Sequence, residues 1–123
     1  MNHCVNYFGR HSFENCVNLT RLELVKSDVS ASSVLGEESI IDCPALKEII
    51  LDLDALHSRA ILNCSSLESI TFGKELKSIN TGVIENCPNL KRIYYRGSEK
   101  EWNMIYRQGA AFPDTNIEYI FLG

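Results

Sequence analysis

Apolar residues recur along this chain in a fixed figure set around four cysteines, with no long continuous run. The copies are Phe13-Glu-Asn-Cys16-Val-Asn-Leu19-Thr-Arg-Leu22-Glu-Leu24, Ile40-Ile-Asp-Cys43-Pro-Ala-Leu46-Lys-Glu-Ile49-Ile-Leu51, Ile61-Leu-Asn-Cys64-Ser-Ser-Leu67-Glu-Ser-Ile70-Thr-Phe72 and Ile84-Glu-Asn-Cys87-Pro-Asn-Leu90-Lys-Arg-Ile93-Tyr-Tyr95. In each, the last two apolar positions are two apart, the spacing by which a strand points both side chains to one face. Leu22/Leu24, Ile49/Leu51, Ile70/Phe72 and Ile93/Tyr95 are therefore predicted to line the core side of a short parallel sheet. The cysteine and the leucine three residues after it fall in the turn leading into that strand, where free Cys fits as a small buried apolar residue.

Successive cysteines of the register are 27, 21 and 23 residues apart. A unit of that length cannot bury its own apolar row, so neighbouring units must stack. The pattern of an apolar residue, Asn-Cys, then Leu-x-x-Ile-x-apolar resembles the BspA-like leucine-rich repeats of bacterial surface proteins over about residues 12–97. The resemblance implies a right-handed leucine-rich-repeat solenoid of four coils, β-rich, with short parallel strands and one C-terminal capping helix. Ordinary leucine-rich repeats carry Asn or Cys where this chain has Asp28, Ala55, Leu76 and Glu99, so their asparagine ladder is expected to be absent. Residues 27–36 read as an inserted Ser-rich loop.

Residues 98–123 read as a cap. The run from Tyr94-Tyr95 through Gly97-Ser98 and Glu99 to Trp102 is similar to the ending of many BspA-like arrays. Independently of that likeness, Ser98 followed by Glu101 is a capping box, Trp102/Ile105/Tyr106 make one apolar face, and Gly109 can end a helix. Residues 117–122 then read as a final strand. The other end has no such lid: residues 1–11 show no periodicity and are expected to form an irregular arm, leaving Phe13, Leu19 and Leu22 with weak cover. Either further coils precede this one in a longer array, or the uncapped N-terminal coil self-associates.

Composition narrows the function. With 123 residues, 45% hydrophobic and 23% charged, the chain has the balance of one small domain. Its 12 basic and 16 acidic residues give a net charge of −4. Nothing resembles the basic stripe of a nucleic-acid binder. No apolar run approaches the ~18 residues of a membrane span, and residues 1–9 lack the basic start and apolar centre of a signal peptide. No nucleic acid, no membrane insertion and no cofactor are expected.

Catalysis is not expected either, because the obvious nucleophiles fill the repeated core slot, where burial makes a thiol inert. Cys4, outside the register, is the one reactive thiol expected. Asp52 and Asp54 would share a strand face, but two carboxylates are too few for calcium, and no metal site is assigned. The residues between the inward strand positions form the candidate partner-binding face: Arg21, Glu23, Glu48, Ile50, Ser69, Thr71, Arg92, Tyr94 and Arg96. Arg92, Tyr94 and Arg96 are its strongest members, since Tyr and Arg are enriched at binding hot spots. The resemblance implies a non-catalytic module at the cell surface or secreted, binding a protein partner in adhesion. An intracellular or prophage-type interaction module and a passive spacer are the alternatives.

Overall fold

The computed structural model describes residues 5–25, 32–107, 112 and 117–123. Parallel strands wind into a solenoid of about four turns, the first four of which each cross three sheets. The first sheet joins β1 (Val5–Phe8), β4 (Ser32–Leu35), β7 (Ala55–Leu56), β10 (Ser78–Ile79) and β13 (Tyr106–Arg107). The second holds β2 (Phe13–Glu14), β5 (Ile40–Ile41), β8 (Ile61–Leu62) and β11 (Ile84–Glu85). The third runs from β3 (Arg21–Val25) through β6 (Glu48–Asp52), β9 (Ser69–Phe72) and β12 (Arg92–Tyr95) to β14 (Glu118–Phe121). The third is the sheet the sequence predicts, in register Leu22↔Ile49↔Ile70↔Ile93. The apolar residue three before each cysteine opens a strand of the second sheet, in register Phe13↔Ile40↔Ile61↔Ile84.

Two corners per coil explain the rest of the motif. At the corner entering the second sheet, His11, Glu38, Arg59 and Gly82 all have φ between 54° and 62°. At the corner leaving it, Asn15, Asp42, Asn63 and Asn86 have φ of 55–57°. Asn and Asp tolerate this left-handed region better than other side-chain-bearing residues, which is why they precede the cysteines. Their side chains also stack: Asn86 Nδ2 donates to Asn63 Oδ1 (2.8 Å) and Asn63 Nδ2 to Asp42 Oδ1 (3.0 Å). An amide ladder therefore does exist, one corner away from the positions where ordinary leucine-rich repeats carry theirs. Each cysteine then starts a turn closed by the N–H of the leucine three on, donating to the cysteine carbonyl at 3.2–3.3 Å. Pro44 and Pro88 occupy the second position of such turns, where a fixed φ near −65° is favoured.

The cysteine side chains complete the corner. The Sγ–H of Cys16, Cys64 and Cys87 donates to the carbonyl two residues back, at 3.5–3.8 Å, and Cys43 Sγ lies 3.6 Å from that carbonyl and 3.4 Å from the Phe13 carbonyl of the coil before. All four are free, and all but half-buried Cys16 are buried. Burial pushes the Cys43 thiol up to about 11. Cys64 is raised too, first by its side-chain hydrogen bond to Cys87 and then by burial. Cys4 lies outside the described residues.

Four sequence expectations are corrected. Residues 5–8, expected within an irregular arm, form β1, and residues 32–35, expected within a loop, form β4; the two pair along their whole length. Neither alternates clearly in sequence because these strands are set by stacking: Gly36 N–H donates to the Phe8 carbonyl (2.8 Å), and Ser33 and Asp54 exchange backbone and side-chain bonds at 3.0–3.2 Å. That exchange draws Asp54 into a buried position beyond β6, so Asp52 and Asp54 share no strand face. The helix α1 spans only Glu99–Asn103 and is C-capped by Met104, well before Gly109. Pairing of Tyr106 and Arg107 with Ser78 and Ile79 in β13 takes the chain out of the helix. The capping box itself is present, with Glu101 N–H donating to Ser98 Oγ (3.1 Å) and Ser98 N–H to Glu101 Oε1 (2.9 Å).

Candidate functional site

The third sheet has one face in the core and one outward. Its inward residues include Ile49, Leu51, Ile70, Phe72, Ile93 and Tyr95, each at most 2% exposed. The in-register pairings order the outward residues into rows. One row is Arg21, Glu48, Ser69, Arg92 and Glu118, and the next is Glu23, Ile50, Thr71, Tyr94 and Ile120. Arg96 and Leu122 follow at the ends of β12 and β14, both exposed. The nine residues predicted from sequence thus come together on one surface. β14 adds Glu118, Ile120 and Leu122, which the sequence reading assigned to a lid; their alternation with Tyr119 and Phe121 was the available signal.

Ile50 departs from expectation, being only 7% exposed. It sits on an inner strand with Glu23 as cross-strand partner and Glu48 two residues back on the same face. Both carboxylates are drawn together by Arg21, whose Nε lies 3.2 Å from Glu48 Oε1 and whose guanidinium lies 3.4 Å from Glu23 Oε1. Such same-face neighbours are within side-chain reach of one another, and long charged side chains can lay their methylene stems over apolar surface.

The two halves of the face differ in charge. Toward β3, Arg21 offsets one of the two negative charges of Glu23 and Glu48, and Asp52 adds a further carboxylate. Toward β14 lie Arg92, half-buried Tyr94, Arg96 and Lys91, and Arg92 Nε is 3.6 Å from Glu118 Oε1. Tyr94 faces outward; its neighbour Tyr95 is the residue that meets α1, its ring 5.2 Å from that of Trp102.

Behind the sheet, a groove of about 440 Å³ opens between α1 and the turn after β9, lined by Lys74, Leu76, Lys77, Tyr95, Glu101, Met104 and Ile105. Its walls are bridged by Lys74 Nζ to Glu101 Oε2 at 3.5 Å. Burial, then the charges of Glu101 and Glu75, raise the Tyr95 hydroxyl and keep it protonated against the Lys74 carbonyl, 3.5 Å away. Among the described residues no cluster of His, Cys, Asp and Glu is arranged to hold a metal ion.

The pattern described as BspA type leucine rich repeat region matches residues 1–118 in six copies. This chain belongs to the BspA-type leucine-rich-repeat family. The match starts before and ends beyond the stretch 12–97 delimited by the cysteine register, as β1, β13 and β14 also do. No curated protein matches the chain. Among solved structures, a leucine rich cell surface protein from Faecalibacterium prausnitzii A2-165 is similar in fold, with a TM-score of 0.54 and 23% sequence identity. The likeness covers 86% of this chain and 34% of that one, so this BspA-type chain spans about a third of its solved relative. Leucine-rich repeats are in general an interaction fold. Among the described residues no helix is long and apolar enough to cross a membrane.

Proposed function

We propose that this BspA-type chain is a non-catalytic protein-binding module of the cell surface, acting in adhesion through the outward face of the third sheet. The observation that carries the reading is the registered set Arg92, Tyr94 and Arg96 on β12 and at its end, beside Ile120 and Leu122 of β14. Parallel stacking holds these side chains in one plane before any partner arrives, so little conformational freedom is lost on binding. Tyr and Arg supply large contact area and several donors each. The free cysteines support a packing role over a chemical one, because three are buried and each thiol donates to a carbonyl of its own corner.

The double variant Arg92→Ala/Tyr94→Ala tests this. Both residues point away from the core, so unfolding free energy is expected to change by less than about 0.5 kcal/mol each. Capture of surface proteins by the immobilised chain should fall about thirtyfold if one hot spot of about 2 kcal/mol is lost. Unchanged capture would move the contact off this face. If the unaltered chain captures nothing, the spacer reading takes its place. Immunoblotting of fractionated cells decides the compartment: signal in the envelope or medium supports the surface reading, and signal in the soluble interior favours an intracellular module.

A further inference from the structure

We infer that the outward face of the third sheet carries a site for a neutral sugar, built from Asp52, Thr71, Tyr94 and Arg96 around Gly73. Beyond the two outward rows already described, the face continues into a third. The N–H groups of Gly73, Arg96 and Leu122 donate to the carbonyls of Leu51, Phe72 and Tyr95 at 2.9, 3.0 and 2.8 Å, which sets Asp52, Gly73, Arg96 and Leu122 side by side. Gly73 leaves a gap in this row, and the Asp52 side chain leans into it: a methyl group built on Gly73 would come within 2.7 Å of Asp52 Cγ. The carboxylate therefore stands one strand nearer Arg96 than its own backbone does, where neighbouring strands are about 4.8 Å apart. Thr71 and Tyr94, paired in register, lie two residues before Gly73 and Arg96 and share their face.

In the first row opposite charges satisfy each other, Arg21 with Glu48 and Arg92 with Glu118. The patch around Gly73 differs. Among the described residues no hydrogen bond or ion pair engages the side chains of Asp52, Thr71, Tyr94 or Arg96, although all but Arg96 are half-buried. An accepting carboxylate, a donating guanidinium and two hydroxyls that do both are thus held unsatisfied beside one aromatic ring. The partner that fills them presents donors and acceptors side by side with an apolar flank, and it carries no net charge, because Asp52 and Arg96 offset each other. A pyranose has this composition. Adjacent hydroxyls on its rim serve the carboxylate and the guanidinium, while its C–H face lies against the Tyr94 ring. A sulfated or carboxylated sugar would meet the Asp52 charge, and an amino sugar with a free ammonium would meet Arg96. The site stands whether or not the same face captures a protein.

Binding of the purified chain to neutral hexose and N-acetylhexosamine oligosaccharides, maltohexaose, cellohexaose and chitohexaose among them, tests it, with heparin and sialyllactose as anionic counterparts. The chain is displayed as a tetramer on streptavidin so that weak single contacts add. At least one neutral oligosaccharide should be retained. Asp52→Ala or Arg96→Ala should weaken it about tenfold or more, as expected for loss of a hydrogen bond to a charged group. Tyr94→Ala should do the same, whereas Tyr94→Phe keeps the ring and most of the binding. Gly73→Ala removes no polar group, yet it should weaken retention by displacing the Asp52 carboxylate. Lys100→Ala, on the exposed surface of α1, should change nothing. Thermal unfolding checks each variant, and the isosteric Asp52→Asn repeats the test should Asp52→Ala fail to fold. Retention of none of the neutral sugars overturns the proposal. So does retention of heparin or sialyllactose alone, which would reduce the patch to the Arg96 charge, and so does neutral binding that survives both Asp52→Ala and Arg96→Ala. Loss of protein capture in those two variants without any sugar binding would assign the patch to a protein contact instead.

Discussion

At the C-terminal end of the stack Trp102 lies among five aromatic rings, those of Phe72, Tyr95, Phe112, Tyr119 and Phe121, with centroids 5.2–6.4 Å away. At the N-terminal end Phe8 and Phe13 meet as a pair, 6.3 Å apart, and the neighbouring charge is handled by ion pairs of Arg10 with Glu37 and Glu38, with His11 Nε2 3.4 Å from Glu38 Oε1. Both ends keep their leucines from water: Leu22 and Leu24 of the first coil are 8% and 7% exposed. The difference lies in what does the covering. One end is plugged by a large rigid indole delivered by a capped helix turn. The other relies on smaller rings and on surface charge pairs, each worth little in water. Closure of a repeat array needs enough apolar area over the last coil, and that area need not form a separate folded unit.

Removing the plug should have the largest effect. Trp102→Ala is expected to cost about 3–5 kcal/mol in denaturant unfolding, since it deletes a buried indole whose surroundings cannot collapse fully. Phe13→Ala, at a half-buried position, should cost under half as much. Equal losses would erase the distinction between the ends.

The thiols sharpen the same contrast through exposure. Cys16 in the first coil should label first under native conditions, ahead of Cys43, Cys64 and Cys87. Cys43, raised from 9.0 to about 11, should carry about a hundredfold less thiolate at pH 8 than an ordinary thiol, and its labelling rate should climb tenfold per pH unit up to that value. Because the unfolded chain ionises this thiol first, stability should fall as pH rises from about 9 to about 11. Rapid labelling of all the register cysteines at pH 8 would break the buried-corner account.

The smallest effect concerns how the plug is held. Ser98→Ala should cost about 1 kcal/mol through loss of the N-cap. The Ser98 backbone N–H holds the Glu101 carboxyl below its usual value of 4.5. That support comes from a backbone N–H that Ser98→Ala keeps, so variant and parent should lose it alike as pH falls from 4.5 through the depressed value, with the gap between them nearly constant. A gap that closes in acid would mean the carboxyl is held chiefly through the Ser98 hydroxyl.

The third sheet was legible because Leu22/Leu24 and their counterparts alternate with polar residues, and four cysteines fix their phase. Ser98 and Glu101 announced the helix start for an equally local reason. β1 and β4 were hidden because Ser32, Ser33 and Val34 carry no apolar alternation of their own; their conformation comes from the coil beside them. The corner at His11, Glu38, Arg59 and Gly82 was hidden too, since Glu38 and Arg59 are not residues that choose positive φ. A backbone chain imposes it, with His11 N–H on Glu38 O, Glu38 on Arg59 and Arg59 on Gly82, each at 2.8 Å. On the candidate face, alternation correctly sorted inward from outward. It could not foresee the burial of Ile50, which lies beside the Arg21–Glu23–Glu48 cluster drawn from two different strands.

The corners also divide each coil into a constant and a variable stretch. From His11 to Leu24, Glu38 to Leu51, Arg59 to Phe72 and Gly82 to Tyr95, the distance is thirteen residues every time. From Leu24 to Glu38, Leu51 to Arg59 and Phe72 to Gly82, it is fourteen, eight and ten. All variation in coil length is therefore confined to the arc that leaves the third sheet for the first. That flank can absorb insertions and deletions while the hydrogen-bonded ladders keep their phase, which makes it the natural splice point for lengthening a coil or grafting a foreign loop.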